Sequence, residues 1–107
     1  MAKKKRDPRA IRTQRFIEAH PNHPASKLWL AAAEAGVPLS CVAEAGGVSR
    51  YSIYLWAAGD VEPRPAQVTV IRRLTDAMNT AVKEGTLPLM TPGATAEDKV
   101  AAITRYL

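Results

Sequence analysis

Apolar residues recur at helical spacing along most of this chain, and no stretch alternates strictly enough to predict a strand. From Ala25 to Ala35 they place Leu28, Ala31, Ala32 and Ala35 on one face, with Ser26 as the expected cap and Gly36 as the stop. Leu39 to Ala45 reads as a second helix, entered through Pro38, whose fixed φ suits a first turn. Gly46-Gly47 reads as a turn. Ser49 then caps a third helix that runs through Ala58 and ends at Gly59. A fourth helix is predicted from about Pro65 to Glu84, with Val68, Ile71, Leu74, Thr75, Met78 and Val82 as its stripe and Arg72, Arg73, Asp76 and Lys83 off it. A last helix over Ala96 to Leu107 has Thr95 as cap, Asp98 in its first turn, and Val100, Ile103 and Leu107 on one face.

Upstream the pattern fades. Met1 to Pro8 is charged, lacks apolar residues at any regular spacing, and is predicted to be disordered. Arg9 to His20 has only Ile11, Phe16 and Ile17 as anchors, enough for a short helix that orders on docking. The two prolines of the HPNHP stretch, His20 to Pro24, bar a continuous helix there. The expectation is an all-α bundle of about five helices behind a largely disordered N-terminal arm. The arm spans residues 1–20, the bundle 21–84, and a loop with a C-terminal helix for docking or self-association 85–107.

Charge sharpens this picture. Residues 1–20 hold seven basic side chains against two acidic ones, and the remaining residues hold eight of each. The whole excess of +5 therefore lies in the arm, on Lys3, Lys4, Lys5, Arg6, Arg9, Arg12 and Arg15. A basic arm beside a neutral body is a footprint of binding to a phosphate backbone. The competing reading is a solubilising tail.

The candidate chemistry lies in GVPLSCVAEAGGVSRYSIYLWAAG, Gly36 to Gly59. Ala43 is small where a following helix crosses closely, and Gly47 permits a positive φ. Val42, Val48, Ile53 and Trp56 are expected to fill the wedge between two helices. Ser49, Arg50, Tyr51 and Tyr54 are left facing outward. Arg50 can bond guanine bidentately or clamp a phosphate. Tyr51 and Tyr54 can bond phosphates, pack on thymine methyls, or pack on a protein neighbour. Ser49 and Ser52 can donate to phosphate near the helix N-terminus.

This stretch resembles the Cro and lambda-repressor type of helix-turn-helix domain. The match rests on Gly36, Leu39, Ser40, Val42, Ala43, Gly47, Val48, Ser49, Ile53, Trp56 and Gly59, and EPRPAQVTVIRRL, Glu62 to Leu74, resembles the loop and helix that follow in that family. Pro38 departs from the usual hydroxyl cap, Cys41 from a frequent polar contact, and Gly46 from the usual alanine. The resemblance implies a lambda-repressor-like bundle that binds double-stranded DNA. It implies base contacts from Ser49, Arg50, Tyr51 and Tyr54. Backbone contacts are implied from Ser40, Arg64 and Gln67, beside Ser52 and the arm residues Lys3, Lys4, Lys5 and Arg6. It leaves a homodimer or higher oligomer open.

Other chemistry is sparse. Cys41 is the only cysteine, which bars an internal disulfide and marks a small buried residue. His20 and His23 have no cluster of further ligands around them, so no metal is expected. No acid–base pair, nucleophile triad, P-loop or dinucleotide fingerprint is present, so neither an enzyme nor a cofactor nor a small-molecule ligand is expected. No apolar run approaches a membrane span, and Arg9, Arg12 and Arg15 interrupt any signal-peptide core, so a cytoplasmic protein is expected, in a bacterial host if phage-encoded. The leading expectation is a small transcriptional regulator of phage or bacterial type. The alternatives are a DNA-binding subunit of a phage packaging or transposition assembly, and an antitoxin.

Overall fold

The computed structural model describes residues 8–107, with side chains from Ala10 onward. The described residues form six helices: α1 Pro8–Ala19, α2 Pro24–Ala35, α3 Leu39–Gly46, α4 Arg50–Ala57, α5 Pro65–Lys83 and α6 Ala96–Thr104. No strand occurs among them. None of these helices alone is long and apolar enough to cross a membrane.

The longest helix, α5, is the spine. It buries Ile71, Leu74, Thr75, Ala77, Met78 and Ala81, and Val68 and Val82 fall at the margins of that face. Against it lies α2, whose buried side is Ala25, Ser26, Leu28, Ala31, Ala32 and Ala35. A face of mostly alanines lets the two backbones approach closely. Thr75 lies in this face with its hydroxyl satisfied, donating to the Ile71 carbonyl at 2.9 Å. The C-terminal helix α6 docks on α3 and α5, and its Ala102 and Ile103 join Leu87 in the same buried cluster as Leu28 and Met78. The Tyr106 hydroxyl shares a 2.6 Å hydrogen bond with Thr86 and ties the segment after α6 to the loop before it. Leu107 stands beyond the helix and is half exposed, although the periodicity assigns it to the helix face.

Three local expectations are corrected. Ser26 is not the cap of α2. The helix starts earlier, because Pro24 needs no N–H partner in the first turn, and the His23 ring caps it: Nδ1 accepts from Ala25 N–H at 3.1 Å. Ser26 thereby becomes an interior residue, fully buried, and its hydroxyl has no hydrogen-bond partner. Gly46 is not part of the turn. It ends α3, and a Cβ there would lie 2.6 Å from Leu74 Cδ1, so its value is close approach to α5.

The third correction concerns the extent of the arm: the short helix expected over Arg9 to His20 is present and docked, so a largely disordered arm does not reach residue 20, while residues 1–7 lie outside those described. Residues 8–19 form α1, docked against α4. Thr13 is buried, the Phe16 ring lies on Gly59, and Arg12 pairs with Asp60 at 3.0 Å. Phe16 also meets the His20 ring at a tilt and the His23 ring edge-on, at 4.7 and 5.0 Å between centroids. Phe16 is thus held by Gly59 and two histidine rings, and Ile17 borders a groove lined by Trp29 and Leu30 of α2.

Candidate nucleic-acid interface

The path from α3 to α4 is fixed by backbone rules. At Gly47 the chain turns left-handed, with φ 66°. Val48 N–H bonds the Ala43 carbonyl at 3.0 Å and Gly47 N–H bonds the Glu44 carbonyl at 3.2 Å, the paired pattern that closes a helix on a glycine. Val48 tucks partly into the core. Ser49 is then extended, and its Oγ accepts from Tyr51 N–H at 3.1 Å and from Ser52 N–H at 3.4 Å. Inside the corner, Val42 and Ala43 of α3 and Ile53, Trp56 and Ala57 of α4 are all buried. The small Ala43 lets the two helices cross.

The outer side of α4 begins with Ser49, Arg50 and Tyr51, all exposed. Tyr51 is 61% exposed, unusual for so large a ring. Among the described residues, Arg50 has no ion-pair partner, so its charge stays available. One turn on, Tyr54 is half-buried and meets Trp29 of α2 edge-on, with 6.1 Å between centroids and 63° between planes. Ser52 is half-buried behind the exposed trio.

The remaining expected contacts sit at two other helix starts. Ser40 is exposed in the first turn of α3. Pro38 precedes it and gives no side-chain cap, and Cys41 N–H bonds the Pro38 carbonyl at 3.0 Å. Arg64 is exposed at the start of α5, and its N–H donates to Gln67 Oε1 at 2.8 Å. That bond occupies the Gln67 carbonyl and leaves its NH₂ as the donor toward an anion. The structure thus joins Ser49, Arg50, Tyr51 and Ser52 in one turn and Arg64 with Gln67 in another. Ser40 stands on a separate helix start.

Lys3, Lys4, Lys5 and Arg6 lie outside the described residues. Of the arm's other cations, Arg12 is engaged by Asp60, while Arg15 is exposed and has no ion-pair partner among the described residues. Both members of the Arg12–Asp60 pair are substantially exposed, so it contributes at most about 1 kcal/mol and serves more to orient α1.

His20 and His23 flank the Phe16 ring, and His23 Nε2 shares a 3.0 Å hydrogen bond with Glu62 Oε1. Among the described residues no group of three or more His, Cys, Asp or Glu side chains converges to hold a metal ion. Cys41 is buried, its Sγ 3.8 Å from the Ala96 carbonyl. Sequence reasoning missed the double use of His23 and the Trp29–Tyr54 contact. The His-Pro pair ahead of an alanine-rich stretch was the available signal for the first. The second joins residues 25 positions apart and leaves no local trace.

Comparison of the chain with protein-family models, curated proteins and solved structures finds no match.

Proposed function

We propose that this protein binds double-stranded DNA sequence-specifically, with α3 and α4 as a helix-turn-helix of the lambda-repressor type and α4 entering the major groove. The observation that carries this reading is the start of α4. A capped, glycine-turned corner holds Ser49, Arg50 and Tyr51 out to solvent, with no acidic partner taking up Arg50 among the described residues. A rigid helix start with an available guanidinium is what bidentate reading of a base edge needs. The starts of α3 and α5, with Ser40, Arg64 and Gln67, supply polar groups for flanking phosphates. The basic run Lys3 to Arg6 adds sequence-independent attraction.

A small transcriptional regulator, cytoplasmic and binding as a homodimer or higher oligomer, fits this arrangement best. An assembly subunit needs residues 79–107 as a surface for other chains, and α6 spends Ala102 and Ile103 on the protein's own core. Selection of genomic fragments by the purified protein at about 150 mM salt tests the reading, because non-specific phosphate binding is already weakened there. Recovery of a few sites with a shared sequence supports it. Uniform recovery contradicts it.

A further inference from the structure

We infer that Trp29 is a positioning residue for Tyr54 at the DNA-facing side of α4. The inference rests on the reading above and assigns a new role within it.

Trp29 belongs to α2, carries no charge, and sits behind the proposed interface. Its ring meets Tyr54 edge-on at 6.1 Å, a geometry favoured by the aromatic quadrupoles. It also lines a groove with Ala10, Thr13, Gln14 and Ile17 of α1. The indole is therefore shared between α1 and the residue one turn along the exposed face of α4. Tyr51 has no such support and is mostly exposed. A tyrosine held by a neighbouring ring loses less rotamer freedom on binding than one free in solvent, so Tyr54 meets the duplex in one preset orientation.

The test is a double-mutant cycle on the full chain, read as affinity for a selected fragment and for random duplex, with thermal melting followed for each variant. Trp29→Leu should weaken binding to the selected fragment roughly 2- to 10-fold and leave random duplex unchanged. Trp29→Phe keeps an aromatic edge against Tyr54 and should retain most of the affinity, which also keeps the test open if the leucine variant folds poorly. In a Tyr54→Leu background, Trp29→Leu should add no further loss. Losses that multiply across the two substitutions overturn the inference, as does an equal fall on both duplexes. If Arg50→Ala still abolishes preference for the selected fragment in that case, the DNA reading survives and only the role of Trp29 fails. A wild-type chain without preference for any duplex removes both.

Discussion

The Phe16 ring lies directly on the Cα of Gly59, so closely that a Cβ at that glycine would stand 2.3 Å from Phe16 Cδ1. The same glycine takes a φ of 75°, so two demands meet at one position. This contact carries α1 onto the end of α4.

Gly59→Ala should therefore detach α1 as well as strain the turn. The left-handed conformation alone costs about 1–2 kcal/mol for a residue with a Cβ. The expected result is a lower melting temperature together with faster tryptic cleavage at Arg12 and Arg15. Phe16→Ala should reproduce the cleavage with less strain on the turn. Unchanged protection of α1 in both variants contradicts the docking.

Gly46 makes a sharper test, because its backbone is helical and alanine is the better helix former by about 1 kcal/mol. Its Cβ would nevertheless meet Leu74 Cδ1 at 2.6 Å in a packed core, where overpacking costs about 1–3 kcal/mol. Gly46→Ala should destabilise the protein in urea, and adding Leu74→Val should recover part of the stability. A stabilised single variant contradicts the close approach of α3 to α5.

The start of α2 separates cap from core. His23→Ala removes the ring nitrogen that accepts from Ala25 N–H and should cost about 0.5–2 kcal/mol. Ser26→Ala removes a buried hydroxyl without a partner and should be neutral or stabilising. Equilibrium unfolding of the two variants checks both; a larger destabilisation from Ser26→Ala returns the capping role to the serine.

Deleting residues 1–7 should weaken binding to every duplex and flatten the dependence of log affinity on log salt. The slope should fall by roughly 0.9 for each phosphate that the arm neutralises in the whole chain. Stability should stay near that of the whole chain, since α1 remains. An unchanged slope makes the run a passive tail.

The helical class and the corner between α3 and α4 were legible because their causes are local. Gly47 needs a positive φ, Ser49 caps within three residues, and Ile53 and Trp56 repeat at helical spacing. The fourth predicted helix and the Thr95–Asp98 capping box follow from the same short-range rules. What escaped was set by packing between distant segments. Phe16 against Gly59, Arg12 against Asp60 and Gly46 against Leu74 have no expression in periodicity, so α1 reads as a weak helix and Gly46 as a turn residue. The cap of α2 was misplaced because histidine is an uncommon cap and serine a common one. On the candidate surface, the outward placement of Arg50 and Tyr51 follows from helical spacing, while the support of Tyr54 by Trp29 required the third dimension.

The central claim is that Arg50 reads a base. The most direct measurement compares the affinity of the wild-type protein and of Arg50→Ala for a selected genomic fragment and for random duplex at the same salt. The account predicts a loss of about 1–3 kcal/mol on the selected fragment and little change on random duplex. Equal losses on both would assign Arg50 to a phosphate and contradict sequence reading by α4.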